Sequence, residues 1–526
     1  MIETVPNCPT EFQGRALSTF QQDVLRYFLN ETGDLFVNAV AGSGKTFTLV
    51  MLASHIQEPD RGDAIFVAFN KSVAVEIGAR LPAGMKASTC HSLGFAALGR
   101  HFGRRPNVDD RKYWRLFDYW YASHSIDTDS DEMQEERTAL KKLISLTMLT
   151  LTDPHNVAAL DRLCMSHDIN LAPEQMERYQ EMVETILEWG VSGTPTRCAD
   201  GKTYAGSETI SYDDMVYLPA ILPLVPWTYL FLFVDESQDL NNAQLTMLLK
   251  HRRVGGRIFF VGDVRQAIYG FAGANAAMYE EIQRRTGAAI LPLSVCYRCS
   301  QAQITLAQKI VSWILPKPDI EPGWSGRMER AQFYEMLQEH PEREWMILCR
   351  CTKPLIAMCY ELIALGVPAK VRGRDIGEGL CQCAEKIGKL KGFEIESFPA
   401  HAEEWRAKQL VNLANREGSE MQQLALSDRV DTLLVVYQQM AGAGAVTSLE
   451  ALVAGIKTLF EEGNCKVVLS TIHKAKGLEA RRVAIIDHHK MPHPMARGAA
   501  QLVQEENLRY VAYTRSSWVT VLIEEV

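Results

Sequence analysis

Two short runs carry side chains whose types and spacing suit chemistry. The first is Ala39-Val40-Ala41-Gly42-Ser43-Gly44-Lys45-Thr46, and the second is Asp235-Glu236, which follows the apolar run 229–234, YLFLFV. Glycines let successive backbone N–H groups close round an anion. A helix starting at Lys45 adds the partial positive charge of its N-terminus. The spacing is that of a phosphate-binding loop: Ala41, Gly42, Ser43 and Gly44 cradle the anion, Lys45 reaches the β- and γ-phosphates, and Thr46 holds Mg²⁺. The loop departs from the usual pattern at Ala39, where a glycine is usual, and it survives if Ala39 keeps a negative φ. A carboxylate at a strand end, Asp235, is the natural second ligand for Mg²⁺. Its neighbour Glu236 suits a general base toward an attacking water.

These side chains need a scaffold, and the flanking sequence describes one. Residues 34–38 read as a buried strand before the loop, and 47–53 as the helix after it. Residues 17–30 predict a helix upstream. A strand at 64–70 with a helix at 71–80, and a strand-to-helix junction at 87–93, continue the alternation. That rhythm predicts a parallel α/β sheet. It stops near Arg100 and resumes near Tyr212. The stretch 101–204 reads as a helical insertion, with an acidic turn or helix end at 127–136. Within it Trp114, Phe117 and Tyr121 stand at i, i+3 and i+7. They form either a base-stacking surface or, as the periodicity favours, an inward-packed helix face. Strands at 229–234 and 257–261 complete the first sheet. A second α/β unit is expected from Leu291, with strands at 345–349, 369–372, 466–470, 483–487 and 519–524. A helical stretch, 380–463, interrupts it.

Bulk properties narrow the function classes. The chain has 526 residues, 47% of them hydrophobic, which suffices for several buried cores. No apolar run approaches the ~20 residues of a membrane span. The first residues show no secretory pattern, so a cytoplasmic location is expected, nucleoid-associated in a bacterial or phage setting. A net charge of −9 argues against coating nucleic acid by charge alone, while leaving room for a local basic groove. Twelve scattered cysteines suit reduced thiols. Of the close pairs Cys296/Cys299, Cys349/Cys351 and Cys381/Cys383, the first alone has zinc-like spacing, and it lacks a matching second half.

Five further stretches keep a fixed order along the chain. They are Phe69-Asn70-Lys71, Thr89-Cys90-His91-Ser92-Leu93, the run 261–274 (VGDVRQAIYGFAGA), the run 293–299 (LSVCYRC), and 470–479 (STIHKAKGLE). The run 505–515 (EENLRYVAYTR) closes the series, and Leu17-Ser18-Thr19-Phe20-Gln21 precedes it. Taken with the phosphate loop and Asp235-Glu236, the set resembles superfamily 1A helicases of the UvrD/Rep/PcrA type, and is most similar to compact phage-like and F-box-helicase-like members. The resemblance implies two RecA-like parallel-sheet motor cores, each with a mainly helical insertion. The first core would comprise 1–100 and 205–290, with 101–204 inserted. The second would comprise 291–379 and 464–526, with 380–463 inserted.

The resemblance also assigns residues. ATP and Mg²⁺ are the implied cofactors. Gln21 would read adenine, to which an amide pairs at two points, and Tyr297 would stack on it. Glu479 would contact the ribose, and Gln266 would sense the γ-phosphate. Arg298 and Arg515 would reach the γ-phosphate from the second core, where a planar guanidinium pairs with phosphate oxygens at two points. Phe69, Asn70, Lys71, Thr89, His91, Tyr269, Phe271, Thr471, His473 and Lys474 would contact single-stranded DNA or couple it to the nucleotide. Cys90 and Ala272 depart from the family pattern, which has an aromatic residue and an arginine there. The implied activity is ATP-dependent translocation on single-stranded DNA, 3′→5′, with separation of tailed or forked duplexes. Two alternatives share these residues. One is a translocase that strips proteins from DNA without efficient unwinding. The other is a nucleotide-gated DNA-binding subunit with a protein partner in a repair, recombination or defence assembly.

Overall fold

The computed structural model describes residues 8–524 apart from 127–130, 168, 193–194, 198–202, 206–208, 269–277, 415–419, 461–464, 495 and 497–498. The chain divides into two compact units, Met1–Ser294 and Val295–Val526.

In the first unit, helix α1 (Thr19–Asn30) leads to strand β1 (Leu35–Ala39) and helix α2 (Lys45–Ser54). Then come β2 (Ala64–Ala68), α3 (Lys71–Gly78), β3 (Lys86–Thr89) and α4 (Cys90–Phe102). The insertion supplies α5 (Lys112–Ser123), α6 (Asp131–Thr150), α7 (Val157–Ser166) and α8 (Met176–Ser192). The α/β rhythm resumes with α9 (Asp214–Ile221), β4 (Tyr229–Val234), α10 (Asn242–Lys250), β5 (Arg252–Gly262), α11 (Met278–Thr286) and β6 (Ala289–Leu293). The six strands pair in the order β6-β1-β5-β4-β2-β3, and every pairing is parallel.

A parallel sheet is covered on both faces, so its inner strands carry buried apolar runs, as in β2 and in the ends of β4 and β5. The side chains sort by alternation. Leu35, Val37, Phe66, Phe233 and Phe259 pack with Val24, Leu25, Leu49 and Leu52 of α1 and α2. Phe36, Ile65, Val67, Leu232 and Phe260 pack on the other face with Leu93, Val216, Leu245 and Ile282. Strand β6 corrects the expected boundary. It pairs with β1 from Ala289↔Leu35 to Leu293↔Ala39, so the first unit runs past residue 290 to Ser294.

The insertion has a core of its own, built from Tyr113, Phe117, Leu143, Leu160, Val183 and their neighbours. Phe117 and Tyr121 are buried and mutually stacked, and Trp114 lies partly covered beneath Lys141. These aromatics therefore serve packing, and the base-stacking alternative is set aside.

The second unit opens with α12 (Gln301–Ala307), β7 (Trp324–Glu329), α13 (Arg330–Glu339), β8 (Trp345–Cys349), α14 (Lys353–Ala364) and β9 (Ala369–Arg372). Four helices follow: α15 (Arg374–Gly388), α16 (Phe398–Ala414), α17 (Glu420–Gly442) and α18 (Leu449–Leu459). Strands β10 (Val467–Thr471) and β11 (Ala480–Ile485), helix α19 (Ala499–Tyr513) and strand β12 (Ser516–Glu524) finish it. The sheet order is β7-β12-β11-β8-β10-β9, again all parallel. Among the described residues no helix is long and apolar enough to cross a membrane.

Candidate functional site

Residues that end parallel strands share one edge of a sheet, and ligands of open α/β sheets bind there. In the first unit that edge gathers the loop after β1, Asp235 after β4, Asp263 after β5, Phe69 after β2 and Thr89 at the end of β3. The loop is tied to the neighbouring strand by the Val40 N–H, which donates to the Leu293 carbonyl at 3.0 Å. Its left-handed positions are Gly42 (φ 68°) and Gly44 (φ 81°), whereas Ala39 ends β1 outside the positive-φ region. The missing glycine is therefore harmless, because the chain does not need one there. Ser43 is fully buried, and its hydroxyl has no hydrogen-bond partner among the described residues. A buried orphan of this kind costs free energy unless a ligand satisfies it.

The loop meets the acidic pair as the sequence predicts. Lys45 Nζ donates to Glu236 Oε2 at 3.0 Å, and Thr46 Oγ1 donates to Asp235 Oδ2 at 2.7 Å. Burial pulls the Lys45 pKa down, but Glu236, Asp263 and Asp235 together outweigh it and the pKa is raised. Asp235 is pushed up to about 6 by burial and then by the Glu236 charge. Asp263 is also pushed up to about 6, first by burial. Three acids thus converge on one ammonium. A hydroxyl and a carboxylate are hard oxygen donors of the kind Mg²⁺ takes, so Thr46 and Asp235 fit that ion.

Glu236 adopts a left-handed backbone (φ 49°, ψ 40°), a strained state for a non-glycine residue that surrounding contacts must impose. The Glu236 N–H donates to Asp235 Oδ1 at 2.9 Å and its carbonyl accepts from the Asp239 N–H at 3.0 Å, while the side chain is held by Gln238. Its Nε2 donates to Glu236 Oε2 at 2.7 Å, and its Oε1 accepts from the Asp263 N–H at 3.0 Å. Gln266 Nε2 in turn donates to Asp263 Oδ2 at 2.9 Å. A Cβ at Gly262 would lie 2.6 Å from Gln238 Oε1, so this lacing requires glycine there. Sequence reasoning assigned Gln266 but gave no role to Gln238 or Asp263. The available signal was position, since both follow the ends of adjacent strands.

Gln21 lies beside the loop. It is 2% exposed, accepts from the Ser18 N–H at 3.0 Å in a capping box, and donates to Thr48 Oγ1 at 3.5 Å. Asn70 and Thr89 are the N-caps of α3 and α4, accepting from Val73 N–H at 2.9 Å and Ser92 N–H at 3.2 Å. Phe69 is 56% exposed and Lys71 is exposed beside it. His91 has its pKa lowered by burial, with the Asp213 carboxylate opposing. Tyr269 and Phe271 lie outside the described residues.

The second unit carries the remaining candidates. Arg298 Nε pairs with Glu479 Oε2 at 2.5 Å, and Tyr297 beside it is part-exposed. Arg515 is 1% exposed, with Nε donating to the Val511 carbonyl at 3.1 Å and Nη1 to the Leu478 carbonyl at 3.2 Å. Thr471 ends β10, and its Oγ1 accepts from the Lys474 N–H at 3.4 Å. His473 is pushed down to about 3 by burial and by the charges of Arg350 and Lys474. Thr471 and His473 line a cavity of 350 Å³ with Arg350, Asp428 and Arg429. Arg350, which sequence reasoning passed over, also donates through Nε to the buried Glu505 at 2.8 Å.

Comparison with known proteins matches residues 17–286 to the UvrD/REP helicase N-terminal domain and residues 328–519 to the UvrD-like helicase C-terminal domain. The F-box DNA helicase protein 1 of Schizosaccharomyces pombe is 22% identical, over 97% of this chain and 58% of that protein. The ATP-dependent DNA helicase PcrA of Leuconostoc citreum is 24% identical over 75% of this chain and 51% of its own length. The ATP-dependent DNA helicase srs2 of S. pombe is 24% identical over 66% and 41%. The chain spans about half the length of these curated relatives.

Proposed function

The chain belongs to the UvrD/REP helicase family, and from that membership we propose that it is an ATP-dependent motor that moves 3′→5′ on single-stranded DNA and separates tailed or forked duplexes. The observation that carries this reading is the Lys45–Glu236 and Thr46–Asp235 pairing at one sheet edge.

In this reading Lys45 and the loop N–H groups hold the β- and γ-phosphates, and Gln21 and Tyr297 take the adenine. Thr46 and Asp235 would hold Mg²⁺, which supplies charge neutralisation when bound. Glu236 orients the attacking water and accepts its proton. Its strained backbone and its hydrogen bond from Gln238 fix that carboxylate before substrate arrives. Gln266 sits one hydrogen bond from Asp263, so it is suited to report the state of the phosphates. Arg298 and Arg515 stabilise charge on the transferred phosphate, a role in which one arginine contributes a rate factor of ~10³–10⁵. Glu479 exchanges its pairing with Arg298 for the ribose. Phe69, Asn70, Lys71, Thr89, His91, Tyr269, Phe271, Thr471, His473 and Lys474 form the DNA track.

The test is ATP turnover with and without single-stranded DNA, together with unwinding of 3′-tailed, 5′-tailed and forked duplexes. Lys45→Ala is expected to abolish turnover, and Glu236→Gln to keep nucleotide binding while blocking turnover. Wild-type turnover in the Lys45 variant would refute the site, and unwinding from a 5′ tail alone would refute the polarity.

A further inference from the structure

The stretch Cys296-Tyr297-Arg298-Cys299 carries two thiols that the motor chemistry does not use. Cys296 ends a short strand, Val295–Cys296, that pairs with Leu315–Pro316. Cys299 precedes Ser300, the N-cap of α12. The Cys299 N–H donates to Cys296 Sγ at 3.5 Å, so the first sulfur faces into the turn that closes on the second. The Cys299 thiol donates to the Thr514 carbonyl at 3.7 Å, next to Arg515. The other close pairs are built differently. Cys381 and Cys383 are two apart on α15, a spacing at which helical side chains do not face each other. Cys349 and Cys351 are two apart at the end of β8.

We propose that Cys296 and Cys299 are an oxidisable dithiol, closed to a disulfide by hydrogen peroxide, which restrains the turn carrying Tyr297 and Arg298. The consequence for turnover rests on the nucleotide roles proposed above for those two residues. Cys296 is the attacking member. Its thiol is held below the ordinary range first by the Cys299 side chain and then, with burial opposing, by N–H groups of Cys299 and Arg298 and by the Arg298 charge. Such surroundings favour the thiolate, which is the reactive form. Both sulfurs are buried, but Tyr297 and Arg298 between them are part-exposed, and peroxide is little larger than water.

The steps balance. The Cys296 thiolate attacks one peroxide oxygen, the O–O bond breaks, and the departing hydroxide takes a proton to leave as water. The sulfenic acid is then attacked by the Cys299 sulfur. The S–S bond forms, the S–O bond breaks, and the leaving hydroxide removes the Cys299 proton as a second water. Two thiols lose two electrons, and one peroxide is reduced to two waters. Cys299 thereby loses the hydrogen that it donates to the Thr514 carbonyl. The turn loses that one bond to the segment bearing Arg515 and is pinned at both ends, so Arg298 has less freedom to leave Glu479.

The full-length protein is treated with hydrogen peroxide, alkylated and digested with trypsin, which cuts after Arg298 and leaves the two cysteines on separate fragments. The expected result is a pair of fragments joined by Cys296–Cys299, loss of most ATP turnover, and recovery of both on adding dithiothreitol. In Cys299→Ser the joined fragments vanish, Cys296 is trapped by dimedone as the sulfenic acid, and peroxide no longer suppresses turnover reversibly. The proposal is overturned if both thiols stay reduced, if peroxide joins other cysteines instead, or if the disulfide forms and turnover is unchanged. Absence of turnover in the reduced protein would sink the motor reading instead, and the fragment map would still decide whether the dithiol closes.

Discussion

His473 occupies a position where positive charge is unwelcome. Burial, and then Arg350 and Lys474, hold its pKa down to about 3, against 6.5 for the free side chain. Between those values the unfolded chain binds a proton that the folded chain refuses. Stability is therefore untouched above the unfolded pKa and is lost as pH falls from 6.5 toward 3. Replacing His473 with Gln removes the penalty. Its stability relative to wild type should improve by up to about 2 kcal/mol between about pH 7 and about pH 5, read by denaturant unfolding at both. Parallel pH profiles would show that the imidazole is not buried against those cations. Legibility at this scale divides by job. The types and spacing of Lys45, Thr46, Asp235 and Glu236 announce their chemistry because few other tasks need that set. Gln238 is invisible for the opposite reason: a glutamine in a loop has many uses. Its role comes from the Glu236 and Asp263 contacts, which appear once two strands lie side by side.

Helix starts at this sheet edge serve two ends. Asn70 satisfies an orphan N–H of α3 and is also the proposed DNA contact. Loss of such a cap costs ~1 kcal/mol, whereas aspartate caps as well as asparagine. Asn70→Ala should therefore weaken both folding and DNA-stimulated turnover. Asn70→Asp should keep thermal stability and lose the DNA response alone, because it sets a negative charge where a phosphate would lie. If Asn70→Ala melts lower, Asn70→Asp melts like wild type and both keep the wild-type response to DNA, Asn70 is only a cap. Helix α4 depends on a different device. A Cβ on Gly94 would lie 1.7 Å from the Met215 carbonyl oxygen, so α4 and α9 touch backbone to backbone. Gly94→Ala must push them apart and should cost about 3 kcal/mol, measurable as a lowered melting temperature. Because α4 begins at Cys90 and α9 follows Asp213, the same change should also disturb the His91–Asp213 approach and weaken DNA binding. Element order and type were readable from alternation and periodicity. A glycine in the middle of a helix pattern signals only a weak spot, and what presses against it is set by a helix more than a hundred residues away.

At the scale of the whole chain, the two helical insertions are attached in different ways. The first has its own apolar core, from Tyr113 to Leu187. A fully buried Lys112–Asp214 pair at 2.7 Å, joined by the Tyr113 hydroxyl on the same carboxylate, links it to the α/β unit. In the second unit the described residues share one core. Leu380, Val430, Leu433, Leu452 and Ile456 of the insertion pack in one cluster with Ile347, Leu469, Ala484 and Val521 of the sheet. The sequence rhythm makes both insertions look alike, because periodicity reveals that a helix has an apolar face and not which surface covers it. The difference has a measurable consequence, since regions that share a core open together while a separate core opens alone. Native-state hydrogen exchange on the intact protein should give amides of α17 and α18 the same opening free energy and denaturant dependence as those of β8 and β10. Amides of α5 and α8 should open in a separate, less costly step from those of β1, β4 and β5. Lys112→Met should shift that step while leaving exchange in β8 and β10 unchanged, because the substitution acts only where the insertion joins the first unit. Opening of α17 ahead of β8 and β10 would mean that the cluster is not a single cooperative core.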